Sequence, residues 1–250
     1  MSTVKNRFLK FSSLACLLGL LPLEQGNCLP KDPEVAAGFA RFERKKGSLT
    51  IIPSDQAILD YEAFSIGPQE TLSFVQSSSS SCVLNRVRNQ NPAEIFGRLE
   101  SNGQVFLLAP GGIYFAPDSQ VNVGGLVATT LEITKEDFLD RRYVFKGSSN
   151  QSLINEGTLF SEGGSIGFVG SSVHNTGTID AKAGIVSLIA GEHVTLDFIG
   201  DGLMRFCVEG SIKETVIEQA GALLGSTVEI KTSAAKQALS DLIHIEGIEE

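Results

Sequence analysis

The chain has 250 residues, 42% of them hydrophobic, with 20 Lys and Arg against 29 Asp and Glu and a formal net charge of −9. That length and apolar content support a packed core and exclude wholesale disorder. The acidic balance argues against a nucleic-acid partner, which needs a positive face at phosphate, and against an anionic membrane surface; it suits a soluble, extracellular or surface-facing protein.

Lys5, Arg7 and Lys10 precede an apolar run over residues 11–21 that stops at Pro22. The run is too short to span a bilayer, and this order of charge, apolar run and break predicts a signal peptide over residues 1–28. Gly26 and Cys28 are the best small residues near a cut, placing the mature start near Leu29. The alternative is a buried N-terminal helix. Cys16 and Cys28 lie in the leader region, and neither follows a good lipid-attachment box. Cys82 and Cys207 could pair in an oxidising compartment, but their separation favours isolated core thiols.

Beyond the leader no long stretch has helical periodicity. Residues 39–50 are polar and irregular and read as part of an N-terminal cap. Short alternating runs follow, bounded by Gly, Asn, Ser or Pro, as strands are: Leu49-Thr50-Ile51-Ile52, Thr71-Leu72-Ser73-Phe74-Val75, Val105-Phe106-Leu107-Leu108 and Ile113-Tyr114-Phe115. The serines over 77–81 read as a flexible loop. Lys135-Glu136-Asp137-Phe138-Leu139 reads as one helical turn with Thr134 as its N-cap. Residues 233–239 form a second short helical candidate.

The informative feature is a repeat. Ile154-Asn155-Glu156-Gly157-Thr158-Leu159 returns twenty residues on as His174-Asn175-Thr176-Gly177-Thr178-Ile179, and residues 164–170 map onto 184–190 at the same offset. A degenerate third copy runs through Gly221-Ala222-Leu223 and Thr227-Val228-Glu229-Ile230, and His244 opens a fourth. A period near twenty with short strands marks a solenoid whose coils stack about 4.8 Å apart through parallel backbone pairing. The expected fold is all-β: a single right-handed parallel β-helix with an N-terminal cap and small extra-helical β elements. Asn155 and Asn175 are expected to stack as a corner ladder, bonding side chain to backbone along the axis. The acidic residues 246–250 show no obvious cap, which suggests a truncated fibre or a piece of one.

Several motifs, in order, resemble the N-terminal two-partner secretion domain of filamentous haemagglutinins, haemolysins and related adhesins. They are Asp60-Tyr61-Glu62-Ala63-Phe64-Ser65-Ile66-Gly67, where the family usually has Trp in place of Tyr61; Val83-Leu84-Asn85-Arg86-Val87; Asn91-Pro92-Ala93-Glu94-Ile95; Asn102-Gly103-Gln104-Val105-Phe106-Leu107; Val121-Asn122-Val123-Gly124-Gly125-Leu126; and Val194-Thr195-Leu196-Asp197-Phe198. The resemblance covers roughly residues 35–208. It departs where the family's second Asn-Pro-Asn-Gly motif reads Ala109-Pro110-Gly111-Gly112. An Asn can close an Asx-turn ahead of Pro and Ala cannot; Gly111 is expected to supply an unusual φ instead. A second departure is Ile199 in the glycine loop Asp197-Phe198-Ile199-Gly200-Asp201-Gly202.

The resemblance implies a secretion module over 29–208, with residues 209–250 as further coils that begin a truncated passenger. It implies export through the inner membrane, then recognition by the periplasmic domains of a dedicated outer-membrane β-barrel transporter, then folding outside. Asn85, Arg86, Asn91, Pro92, Ile95, Pro110, Gly111 and Gly112 are the residues implicated in recognition or folding. Arg86 and Arg88 have two readings: contact with acidic groups of the transporter, or a structural one in which Arg86 bonds backbone carbonyls within the loop after the serine run.

Catalysis is not expected. The carboxylates form no repeating pair, there is no Gly-x-Ser-x-Gly nucleophile elbow, and His174, His193 and His244 fall in no metal pattern. His174 reads as a surface turn residue. Neither a cofactor nor a metal is expected. A host-cell surface or glycan receptor is the other partner considered. The alternatives are a truncated remnant that binds the transporter without an effector, and a carbohydrate-active β-helix enzyme.

Overall fold

The computed structural model describes residues 28–31, 33–199, 203–208, 215–232 and 243–245. The expected signal peptide over 1–28 except Cys28, the glycine-loop residues 200–202, the helical candidate 233–239 and the acidic end 246–250 lie outside the described residues. Among those described, no helix is long and apolar enough to cross a membrane.

Each coil contributes three short strands, and like strands pair in parallel from coil to coil. The first face runs through Ala57–Tyr61, Cys82–Val87, Gln104–Leu108, Gly125–Thr129 and Ile166–Gly170, then through the second halves of Thr178–Ala190 and Ala222–Thr232. The second runs through Ser65–Ile66, Ala93–Ile95, Ile113–Phe115, Ser152–Asn155, Ser172–Asn175, Val216–Gln219 and Ile243–Ile245. The third runs through Ser48–Pro53, Thr71–Phe74, Arg98–Ser101, Gln120–Val123 and Thr158–Ser161, then through the first halves of the two long strands. The chain is a parallel β-helix, as its repeat predicts.

Alternation fixes which side chains point inward. On the third face Leu49, Leu72, Leu99, Val121, Leu159, Ile179 and Leu223 are successive register partners, and each is at most 1% exposed. Full burial of one such side chain contributes about 1.5–3 kcal/mol. The twenty-residue repeat is the register itself: Leu153 pairs Val173 and Ile166 pairs Val186. The third copy follows through Ile179↔Leu223 and Val186↔Val228.

Asn155 and Asn175 point into the coil and are fully buried. Asn155 Nδ2 donates to Asn175 Oδ1 at 2.7 Å, and Asn175 Nδ2 donates to Gln219 Oε1 at 2.8 Å. The ladder therefore bonds side chain to side chain along the axis. Its backbone bonds stay within a coil, as in Gly157 N to Asn155 Oδ1 at 3.1 Å. Gln219 continues the ladder where the sequence repeat had degenerated.

Two antiparallel strands close the N-terminal end. Glu34–Ala37 pairs Ala57–Tyr61, and Ala40–Lys45 pairs Ser48–Pro53. Ser48–Pro53 is already a coil strand, because it runs parallel to Thr71–Phe74. The cap thus ends earlier than the polar composition of residues 39–50 implies. Leu29 plugs the core at 2% exposure, and Arg44 Nη2 holds the Pro30 carbonyl at 2.7 Å.

Two insertions interrupt the repeat and meet outside the first face. One carries the helix Lys135–Leu139, with Thr134 Oγ1 accepting from Asp137 N as its N-cap, and the strand Tyr143–Lys146. The other carries the hairpin His193–Ile199 and Leu203–Val208. These strands form a three-stranded antiparallel sheet. They cover a second core in which Phe106 stacks on Tyr143 at 5.1 Å and meets Phe138 edge-on at 5.4 Å. Cys82 lies there, its Sγ 3.9 Å from Tyr143 Oη, whereas Cys207 is exposed, so the two cysteines form no disulfide. The core-thiol reading therefore holds for Cys82 and not for Cys207. The serines over 77–81 form a hydrogen-bonded turn, with Ser77 Oγ and Ser81 Oγ 2.8 Å apart.

Candidate functional site

The implicated motifs converge at one corner of the coil, between the first and second faces. In the lower coil, Asn89 Oδ1 accepts from Asn91 N at 3.0 Å and closes an Asx-turn. Asn89 Nδ2 donates to the Glu62 carbonyl in the coil beneath. Asn91 and Pro92 follow on the surface, and Ala93 turns inward. One coil up, Gly112 N donates to the Ala109 carbonyl at 3.0 Å, closing a turn with Pro110 and Gly111 at its centre. Pro110 presets the first central φ of such a turn.

The two turns touch through backbone. Ala93 N donates to the Gly112 carbonyl at 2.9 Å. A Cβ on Gly111 would lie 2.2 Å from the Gln90 carbonyl oxygen and 2.5 Å from that of Asn91. Gly111 is therefore set by close approach, and the expectation that it supplies an unusual φ is corrected. Gly112, at φ +105°, is the residue in the region that disfavours side chains. A third segment, residues 147–152, stacks above. Ser149 Oγ donates to the Pro110 carbonyl at 2.7 Å and accepts from Gln151 N at 3.1 Å.

An ion cluster borders these turns. Asp60 and Arg86 are register partners on adjacent strands. Arg86 donates Nε to Asp60 Oδ1 at 2.7 Å and Nη2 to Oδ2 at 3.0 Å, a two-pronged pair, and Arg88 reaches the same carboxylate. The Arg86 side chain is 14% exposed and that of Asp60 2%, whereas that of Arg88 is 58% exposed. Arg86 thus bonds a carboxylate rather than its loop's carbonyls, and Arg88, although paired with the same carboxylate, is the arginine of the cluster that solvent reaches. Asn85 and Ile95 point inward and are fully buried. Asn85 accepts from Tyr61 Oη at 3.0 Å and donates to the Phe106 carbonyl at 3.2 Å. Burial pushes the Tyr61 phenol pKa well above its ordinary value.

A polar groove runs along the column. One part, about 160 Å³, is lined by Arg86, Arg88, Gln90, Pro110 and Glu132; the next, about 370 Å³, by Gln90, Pro110, Glu132 and residues 147–151. The structure brings Arg86, Asn91, Pro92, Pro110, Gly111 and Gly112 together here. Asn89, Asp60 and Ser149 were missed. Asn89 was legible, since Asn two residues before a turn amide is an Asx-turn spacing; Asp60 and Ser149 depend on a register that the sequence alone does not number. Among the described residues no cluster of His, Cys, Asp and Glu could hold a metal ion.

By class the chain is a parallel β-helix with an antiparallel N-terminal cap and stacked Pro-containing turns along one corner. The family model described as TPS secretion domain matches residues 47–250, and the chain belongs to that family. It is similar to the Heme/hemopexin-binding protein of Haemophilus influenzae strain Rd, at 27% identity over 226 residues, covering 84% of this chain and 24% of that protein. A second Heme/hemopexin-binding protein of that species is 31% identical over 105 residues, 42% of this chain and 11% of the relative. The chain thus spans a quarter or less of the length of these relatives. The crystal structure of the HMW1 secretion domain from Haemophilus influenzae superposes with a TM-score of 0.70 at 27% identity, covering 80% of this chain and 57% of that one. The chain is accordingly the secretion domain of a two-partner exoprotein, in a family of secretion domains rather than enzymes.

Proposed function

We propose that the turn column formed by residues 89–93, 109–112 and 147–152 is what a dedicated outer-membrane β-barrel transporter recognises, through its periplasmic domains. Export by way of the periplasm and release to the medium or cell surface belong to the same reading. The observation that carries it is the convergence of Arg86, Arg88, Gln90 and Pro110 on one groove, with the Asx-turn into Asn91 and Pro92 directly beside it. In this reading Arg88, Asn91, Pro92 and Pro110 present the recognised surface. Asp60 and Arg86 hold that surface in place, and Gly111 and Gly112 let the turns stack. Asn85 and Ile95 contribute through coil formation, being buried once the coil closes. We assign residues 29–208 to the module and 209–250 to the coils that follow it. A host-surface or glycan receptor belongs to the exoprotein as a whole.

The test is expression with and without the cognate transporter, with the protein measured in medium and periplasm. Transporter-dependent release supports the reading, and Arg88→Glu combined with Pro110→Ala is then expected to cut release at least fivefold while the purified variant still folds. Release independent of the transporter refutes it. A second reading, a remnant that engages the transporter without leaving, draws on Ala109 and Gly111 standing where the family has Asn. Periplasmic retention with the transporter active favours that one.

A further inference from the structure

The outer surface of the second face carries a side-chain cluster that the secretion reading does not use. Ser172 and His174 lie two apart in the strand Ser172–Asn175, so they share a face, and the buried Val173 and Asn175 identify it as the outer one. His174 lies within the strand rather than in the turn that the sequence suggested. Its register partner on the next coil is Glu218, and that of Ser172 on the previous coil is Ser152. Ser172 Oγ and His174 Nε2 are 2.7 Å apart, and His174 Nδ1 and Glu218 Oε2 are 2.7 Å apart. Ser152 Oγ donates to Ser172 Oγ at 3.2 Å.

The donor logic is determinate. A carboxylate only accepts, so Glu218 selects the tautomer with hydrogen on Nδ1 and leaves the Nε2 lone pair facing the Ser172 hydroxyl. A hydroxyl on an imidazole whose far nitrogen is held by a carboxylate is the arrangement that activates a serine nucleophile. The carboxylate here comes from the strand 44 residues further along the chain, so only coil stacking assembles it.

We propose that Ser172, His174 and Glu218 form a nucleophilic site for small carboxylic esters with good leaving groups. Ser172 Oγ bonds to the ester carbonyl carbon while its proton passes to His174 Nε2. The carbon–oxygen bond to the leaving group then breaks, and the departing oxygen takes that proton. Water hydrolyses the acyl-serine: its proton goes to Nε2 and returns to Ser172 Oγ as the carboxylic acid leaves. Glu218 is a positioning residue. The backbone amides of this strand are engaged with both neighbouring strands, so Ser152 is the hydroxyl placed to steady the oxyanion. The His174 side chain is 26% exposed and that of Glu218 57%, so a substrate reaches the site from solvent, and activated esters, which need the least assistance, are the favoured class. General-base assistance alone is typically a factor of about 10²–10⁴.

The test uses the full purified chain with a fluorophosphonate probe, followed by peptide mapping, and with p-nitrophenyl acetate. One label per chain on Ser172 is expected, absent in Ser172→Ala and formed at least tenfold more slowly in His174→Ala. Glu218→Gln and Ser152→Ala are expected to lower turnover of the acetate with KM unchanged. These side chains face outward, and circular dichroism checks that each variant retains the fold. Label on another residue, labelling equally fast in His174→Ala, or acetate hydrolysis equal in wild type and Ser172→Ala overturns the proposal.

Discussion

Gly111→Ala tests whether the turn column is a close-packed stack or a loose loop. The added Cβ would stand 2.2 Å from the Gln90 carbonyl oxygen, 2.4 Å from its carbon and 2.5 Å from the Asn91 oxygen. All three atoms are backbone, so no side chain can rotate away, and the turns must separate by about 1 Å to reach ordinary contact. Overpacking of this kind costs about 1–3 kcal/mol, and loss of glycine freedom in the unfolded chain offsets about 0.4–1 kcal/mol. The net is about 1.5 kcal/mol of destabilisation, and with a urea dependence of about 2 kcal/mol per molar the midpoint falls by about 0.7 M. Gly163→Ala, where a Cβ meets nothing within 4 Å, is the control and should not lower the midpoint. A Gly111→Ala midpoint equal to wild type would refute the packing argument. The same geometry bears on restoring the family's motif. Asn at 111 meets the same carbonyls, and Asn at 109 replaces a fully buried Ala, where an unpaired amide costs about 1–3 kcal/mol. Ala109→Asn with Gly111→Asn should therefore lower the folded yield rather than improve it.

Asp60→Ala should destabilise by about 3–5 kcal/mol, because it leaves the nearly buried Arg86 unpaired, whereas Arg88→Ala, exposed, should cost under about 1 kcal/mol; paired denaturation curves measure both. Asn175→Ala strips partners from Asn155 and Gln219 at once and should cost roughly 2–5 kcal/mol, read from the same curves. Burial first, then the charge of Asp55, pushes the Cys82 thiol up to about 11, and burial likewise raises Tyr61 and Tyr143. A raised pKa means that the folded state holds its proton longer than the unfolded state, so stability is full below about pH 8.5 and falls as the pH climbs towards 11. A urea midpoint flat from pH 8 to 11 would contradict this. Iodoacetamide at pH 8 should modify the exposed Cys207 within minutes and Cys82 only on unfolding, as peptide mapping would show.

Inward columns and the coil period were legible because stacking forces equivalent residues to recur, so Leu153 and Val173 announce each other in one dimension. The corner turns were legible through the resemblance to the family's two Asn-Pro motifs, with Pro92 and Pro110 marking them because proline constrains local backbone. What the sequence hid was everything set by register across unequal coils. Asp60 and Arg86 are 26 residues apart, while Ser172 and Glu218 are separated by an insertion, and no fixed offset relates such pairs. The role of Gly111 was misread for the same reason. Its constraint comes from the backbone of the coil below, while its neighbour Gly112 carries the φ.

The three-stranded outer sheet has a consequence for the order of events. Its members come from Tyr143–Lys146 and from His193–Val208, the latter beginning only after the long strand Thr178–Ala190 is complete. Phe106, Phe138 and Tyr143 share their core with Val194 and Leu196, so in a chain folding from its N-terminus that core is incomplete until residue 193 and beyond arrive. Closing that sheet then works as a pawl. The strands from Cys82–Val87 to Ile166–Gly170 share their outer core with that sheet, so unwinding a coil there should expose apolar surface on two sides at once and be slower than unwinding a coil the sheet does not cover.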